Sequence, residues 1–206
     1  MIAWTIEQAK AVKQIDRVIV STDSHEIASV ARQYGAETPF MRPTVLSSDD
    51  SPEWLAWQHA LSYLQNAGEL PDMMICVPVT APLRHPTDIE KCIEEYTRGG
   101  ADIVVTVTVA HRSPYFNMVR RNENGAVELV IPPVSNVSRR QDAPTVFDMA
   151  TVAYVANSKF VLNSKSIFDG RVRAVEVPAE RAIDIDTILD FRIAEYLMKD
   201  RMHEDL

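Results

Sequence analysis

"MMICVPVTAPLRHPTDIEKCIEEYTRGGADIVVTVTVA", residues 73–110, decides the fold. It opens on a short apolar run (73–82) that leaves through Val79, Thr80 and Pro82. Pro86 then suits the first turn of a helix, where its missing N–H costs nothing. Ile89, Cys92, Ile93 and Tyr96 follow at the spacing of one helical face. Gly99 and Gly100 stop that helix, and "ADIVVTVTVA" (101–110) is a β-branched run buried on both faces. Strand, helix and strand of these lengths make a βαβ unit, and such units build a parallel sheet covered by helices.

The same rhythm extends outward in both directions. Upstream, Ile2, Ile6, Ala9 and Val12 share a helical face in residues 2–14. "RVIVSTD" (17–23) reads as a buried strand with a polar carboxyl end. Ile27, Val30, Ala31 and Tyr34 mark the next helix, which Gly35 ends. After a Pro-rich polar loop, Trp54, Trp57, Leu61 and Leu64 mark another. Downstream, residues 113–148 break the pattern: Asn124–Gly125 is hairpin-turn chemistry, and Pro132–Pro133 follows. That excursion suits a dimerisation arm or a lid. "ATVAYVA" (150–156) and "RVRAVEVP" (171–178) return to strand, and a helix closes the chain. We therefore expect one α/β domain over 1–206, a three-layer α/β/α sandwich on a mostly parallel sheet, with an excursion at 113–148.

Composition removes several function classes. The 206 residues carry a net charge of −8, which disfavours a nucleic-acid binder with a broad basic surface. Cys76 and Cys92 form no Cys-x-x-Cys pair, and both fall in apolar-periodic runs, so a reducing cytoplasm fits. No run approaches a membrane span and no basic-then-apolar leader is seen, so no membrane partner is expected. The five histidines lack metal-ligand spacing, and there is no Gly-x-Ser-x-Gly elbow.

Doubly wound sheets bind ligands at the carboxyl ends of their strands. Three polar clusters fall there: Ser21–Asp23, Thr80–Arg84, and the pair Asp184 and Asp186 in "RAIDIDTILDF". The aspartates admit two readings. Asp186 or Thr187 could cap the last helix, whose positive end favours acidic groups. Alternatively, i and i+2 carboxylates on one face of an extended segment could hold Mg²⁺, which takes one or two carboxylates plus substrate phosphates. For Ser21–Asp23 capping is the plainer reading, and Arg84 stands between a surface ion pair and an anion contact.

"VIVSTDSHEIASVARQYGA", "RPTVLSSDDSP", "VPVTAPLRHPTDI", "RRQDAPTVFDMATVAYV" and "RAIDIDTILDF" occur in this order over nearly the whole chain. Together they resemble the acylneuraminate cytidylyltransferases, with TAPLR and IDIDT the most specific pieces. The resemblance implies a nucleotide-diphosphosugar-transferase fold and a homodimer whose excursion reaches the neighbouring subunit's sugar pocket. It implies transfer of CMP from CTP to the C2 hydroxyl of a sialic-acid-like 2-keto sugar acid, with pyrophosphate leaving. It implies Mg²⁺ on Asp184 and Asp186. By the same resemblance Arg42 lies near the nucleotide, Thr80 and Arg84 border the sugar, Arg140 and Tyr154 face it, and Phe168 packs on its acyl group.

Departures from the family pattern bear on substrate and on competence. Where the family often has Gln two residues before the threonine, this chain has Pro78, and the family's "NGAIY" reads "MATVAY". The acceptor is therefore expected to differ from N-acetylneuraminate, with legionaminate, pseudaminate, a deaminated nonulosonate or an octulosonate analogue all open. The chain also begins at "IAWTIEQAK", which corresponds to the family's first helix. Its opening strand and phosphate-cradling loop have no counterpart here, so the expectation is a truncated sequence or weak CTP binding. The alternative function is accordingly a catalytically weak homologue that binds sugar or dimerises. A GT-A-like glycosyltransferase is disfavoured, because its metal carboxylates follow a mid-domain strand.

Overall fold

Alternation along two strands divides the interior into two layers. In the computed structural model, which describes residues 1–132 and 139–204, Ile103 and Val105 face one side of the sheet and Val104 the other. Tyr154 and Ala156 join the first side, Ala153 and Val155 the second. Period-2 alternation with apolar residues on both faces demands cover on both faces.

The helices supply that cover. The elements in chain order are α1 (Ile2–Lys10), α2 (His25–Gln33), α3 (Glu53–Asn66), β1 (Met73–Cys76), α4 (Pro86–Thr97), β2 (Ile103–Val109), β3 (Val119–Arg121), β4 (Val127–Leu129), β5 (Phe147–Asn157), α5 (Ser158–Asn163), β6 (Val172–Glu176) and α6 (Ile188–Glu204). Trp54, Trp57 and Leu61 of α3 and Val161 of α5 pack on the Tyr154 side. Ile89, Cys92 and Ile93 of α4, with Val12, pack on the Val104 side. Each fully buried aliphatic side chain here contributes roughly 1.5–3 kcal/mol.

The sheet runs β1-β5-β2-β6. β2 and β6 are parallel, whereas β5 is antiparallel to both β1 and β2. β1, β2 and β6 therefore share one carboxyl edge, and the sheet is mixed. The ladder between β2 and β5 shifts between Val105 and Thr106. Val105 pairs with Tyr154 but Thr106 with Ala150, so residues 151–153 bulge out. Thr106 repairs part of the loss: its hydroxyl donates to Ala150 O at 2.7 Å and accepts from Ala153 N at 3.3 Å.

Several elements differ from the sequence reading. The strand expected at 17–23 contributes one parallel bridge, Ile19 with Glu37. Val20 N donates to Glu37 O and Glu37 N to Val18 O, but the next donor in that ladder would be Pro39, which has no N–H. On α2 the buried residues are Ala28 and Ala31, while Ile27 and Tyr34 are exposed. Helix α5, capped by the Asn157 side chain, was not anticipated. The excursion does carry the expected hairpin: β3 and β4 pair antiparallel around Asn122–Gly125, with Gly125 at φ +82° and the Asn122 side chain accepting from Asn124 N and Ala126 N. The second member of Pro132–Pro133 lies outside the described residues. No helix among the described residues is long and apolar enough to cross a membrane.

Candidate active site

The segment from Arg181 to Thr187 crosses the carboxyl edge and is pinned at three points. Arg181 is tied through its side chain to α4. The main chain is tied at Ile185, whose N–H donates to Thr80 O at 2.8 Å. Thr187 is tied to α6: its N–H and hydroxyl donate to Asp190 Oδ2 at 2.8 and 2.6 Å, and Asp190 N donates back to Thr187 Oγ1 at 3.3 Å. These bonds hold the Asp190 carboxyl below its ordinary range.

That reciprocal pair separates the two readings of the aspartates. Helix capping is carried by Thr187 and Asp190, so neither Asp184 nor Asp186 is needed for it. Asp184 Oδ1 is buried and has no hydrogen-bond partner. Asp186 is exposed, and neither carboxylate has an ion-pair partner among the described residues. A buried carboxylate oxygen without a donor costs roughly 1–3 kcal/mol or more. Such an oxygen fits a cation ligand. Among the described residues no group of three or more His, Cys, Asp or Glu side chains is placed to hold a metal ion. Asp184 and Asp186 alone would be a sparse carboxylate set, the kind that suits Mg²⁺ completed by phosphates and water.

Thr80 and Arg84 lie beside this segment but play different parts. Thr80 offers its carbonyl to Ile185. Arg84 is only 2% exposed and turns its guanidinium inward. Its Nε donates to Val152 O at 2.8 Å, inside the β5 bulge. Its Nη2 donates to Pro78 O, and its Nη1 reaches Thr5 Oγ1 and Gln8 Oε1 at 3.4 Å. Gln8 in turn donates to Pro82 O and Arg84 O, both at 2.9 Å. Burial lowers the Arg84 guanidinium to about 10, against the opposing pull of Cys76, Asp184 and Asp88. Arg84 remains a cation at neutral pH, and each of its three nitrogens donates to a protein acceptor.

The other predicted residues are spread over four places. Arg42 sits at the end of the 17–20 segment: its N–H donates to Thr22 O at 2.8 Å and its Nε to Ser47 Oγ at 3.0 Å. The capping expected of Ser21–Asp23 falls instead to the next residue, Ser24, which accepts from Ile27 N, while Ser21 Oγ is buried without a partner. Tyr154 is in the core, its ring 5.2 Å from that of Trp57. Burial, together with the nearby Glu53, Cys76 and Asp184, raises its hydroxyl pKa. Phe168 is 73% exposed and lines a cavity of about 270 Å³ with Trp54, Trp57, Glu53 and Lys165. Arg140 lines another of about 330 Å³ with Arg112, Ser113 and Gln141, and its Nη2 donates to Ala110 O at 3.2 Å.

Sequence reasoning missed Asp88, Arg181 and Gln8. Asp88 was detectable: two residues after a helix-opening Pro86, an acid stands where a capping box places it. Gln8 carried no signal, because its acceptors, Pro82 O and Arg84 O, lie more than seventy residues away.

Comparison with known proteins bears on the family and the fold. The chain is 33% identical over 98% of its length to the post-translational flagellin modification protein B of Campylobacter coli, covering 85% of that protein. It is 34% identical to the CMP-N,N'-diacetyllegionaminic acid synthase of Campylobacter jejuni, over 96% of this chain and 83% of that one. Among solved structures, a CMP:2-keto-3-deoxy-manno-octonic acid synthetase complexed with CTP superposes with a TM-score of 0.70 at 15% identity, over 97% of this chain and 88% of the other. That likeness speaks to the fold. The family model described as "Cytidylyltransferase" matches residues 1–201, and the chain belongs to that family.

Proposed function

We propose that this protein transfers CMP from CTP to the C2 hydroxyl of a sialic-acid-like 2-keto sugar acid. The new bond joins the sugar C2 oxygen to the α-phosphorus. The α–β phosphoanhydride bond breaks, pyrophosphate leaves with the bonding electrons, and the hydroxyl proton passes to solvent. In-line transfer of this kind asks the protein for positioning and charge neutralisation more than for covalent chemistry. The observation that carries the reading is the free carboxylate pair at the sheet edge, with Asp184 Oδ1 buried and unpartnered while Thr187 and Asp190 do the capping. Asp184 and Asp186 would hold Mg²⁺, which neutralises charge on the phosphates as the leaving group departs.

The substrate class rests on the relatives, whose names include a CMP-N,N'-diacetyllegionaminic acid synthase and a pseudaminic acid cytidylyltransferase. The Arg140 cavity can offer a guanidinium fork to the sugar carboxylate. The aromatic-lined Phe168 cavity can take an acyl substituent. We also propose a homodimer through the excursion. Val119 and Val127 of the hairpin and Val109, Phe147 and Met149 at the adjoining strand ends are exposed, an apolar surface that a second copy would cover. Free Cys76 and Cys92 suit a reducing cytoplasm.

The test is pyrophosphate release from CTP with a panel of nonulosonic and octulosonic acids. We expect CTP-specific, Mg²⁺-dependent turnover with at least one of them, and its loss in Asp186→Ala. Full rate in that variant at saturating Mg²⁺ would remove the metal assignment. CTP binding without pyrophosphate release on the whole panel would remove the transferase reading. Sedimentation analysis separately tests the dimer, and a monomer at micromolar concentration would refute it.

A further inference from the structure

We infer that the Asp88–Arg181 ion pair positions the Asp184 and Asp186 carboxylates, an inference that rests on the metal reading above. Asp88 is fully buried at the start of α4. Arg181 Nε donates to its Oδ2 and Nη2 to its Oδ1, each at 2.9 Å. His85 N donates to Oδ2 as well, at 2.9 Å. A two-pronged guanidinium–carboxylate contact fixes orientation as well as distance, which an ammonium cannot do. Both charges are answered within the pair.

Placement along the chain gives the pair its role. Arg181 ends the short turn Ala179–Arg181, and Asp184 is the third residue after it. The other two anchors, Ile185 N on Thr80 O and Thr187 on Asp190, lie on the far side of Asp184. On the N-terminal side Arg181 is the nearest hydrogen-bonded side-chain anchor, next to Ala182, which packs on Ala150, Val152 and Val177. No protein donor holds Asp184 Oδ1, so its direction comes from the backbone alone. Releasing Arg181 leaves only the apolar packing of Ala182 to hold this side and loosens the approach to the carboxylate. A buried ion pair is weak evidence of net stabilisation, since desolvation offsets most of the attraction. Fixing the approach to a site is a role that geometry can carry at no net stability.

The experiment uses Mn²⁺ alone as probe, read by the electron-paramagnetic-resonance signal of the free ion, beside thermal unfolding of each variant. Asp88→Leu with Arg181→Met replaces the pair by apolar groups, and Arg181→Lys keeps the charge but loses the fork. We expect the double variant to unfold cooperatively and to bind Mn²⁺ roughly tenfold more weakly, the usual scale for losing an outer-shell partner. Arg181→Lys should fall between it and the parent. Asp184→Asn and Asp186→Asn set the reference. If they bind Mn²⁺ as the parent does, the metal reading fails. If they lose Mn²⁺ while the double variant binds within twofold of the parent, the positioning inference is overturned and the metal reading stands. Should the double variant not fold, Arg181→Lys decides alone: Mn²⁺ binding within twofold of the parent overturns the inference, and clear weakening supports it.

Discussion

Replacing Arg84 by methionine should cost stability before it costs substrate affinity. The side chain is 2% exposed and donates to two main-chain carbonyls, Val152 O and Pro78 O, with Thr5 and Gln8 as weaker partners. Val152 lies in the bulge, where the regular ladder supplies no donor. Methionine fills much of the volume but leaves both carbonyls unpaired. Each such loss costs roughly 1–3 kcal/mol. Relief of the buried charge returns part of this, so the net loss should be about 3 kcal/mol, smaller than the sum for the two carbonyls. For a chain of this size that shifts the unfolding temperature by about 6–12 °C. Urea unfolding followed by fluorescence of Trp54 and Trp57, which pack on the same layer, gives the midpoint directly. A midpoint equal to the parent's, combined with a raised KM for the sugar acid, would refute this reasoning and make Arg84 a substrate contact.

Three further outcomes follow from other parts of the molecule. Arg140→Ala should raise the KM for the sugar acid more than that for CTP, since its proposed partner is the sugar carboxylate; an equal rise for both would count against that role. Gly170→Ala should destabilise by about 1–3 kcal/mol through overpacking, because a Cβ there would lie 2.5 Å from Phe160 Cε2 and 3.0 Å from Asp102 Cβ. An unchanged urea midpoint would show that the Phe160 ring yields freely. Glu37 and Asp102, held by Arg17 and Arg171, and Asp169 and Asp190, held by backbone and hydroxyl donors, all lie below their ordinary range. Their contribution is present above the unfolded-state values, near pH 4, and is lost as pH falls through the lower folded values. The urea midpoint should therefore be flat from pH 6 to 8 and decline below about pH 4; a midpoint constant down to pH 3 would contradict it.

Long periodic elements were legible because one periodicity ran through them without a competitor. Trp54, Trp57, Leu61 and Leu64 are all buried on α3, as their spacing requires. Helix α2 shows the limit of that argument. Its sequence offers overlapping stripes, and α1 packs against the one containing Ala28 and Ala31, small residues that admit close helix approach and leave Ile27 and Tyr34 outside. The 17–23 strand failed for a reason in another segment, the missing N–H of Pro39. Six-residue α5 is too short for a period to establish itself. At the aspartates the sequence allowed two readings because Asp186 and Thr187 were both plausible caps. Only placement shows that Thr187 and Asp190 close on each other and leave Asp184 and Asp186 free.

Arg84 links the sheet irregularity to the candidate site. A bulge sacrifices ladder bonds, and bulges recur beside active sites, where they re-aim the chain. Here the sacrifice creates an acceptor, Val152 O, inside the protein, and a buried cation is drawn to it. The same cation takes Pro78 O and thereby fixes both ends of the turn that presents Thr80 O to Ile185 N. Asp184 is one residue from that contact. The aspartate's position thus depends on a defect in the β5 ladder, on Arg84 bridging it, and on Arg181 anchored to Asp88 of α4. All three act through contacts within the protein. A variant survey confined to exposed residues would find Asp186 and Arg140 and miss the groups that set where the carboxylates stand. It would also assign Arg84 to substrate binding on the strength of its motif, although its donors already have protein acceptors.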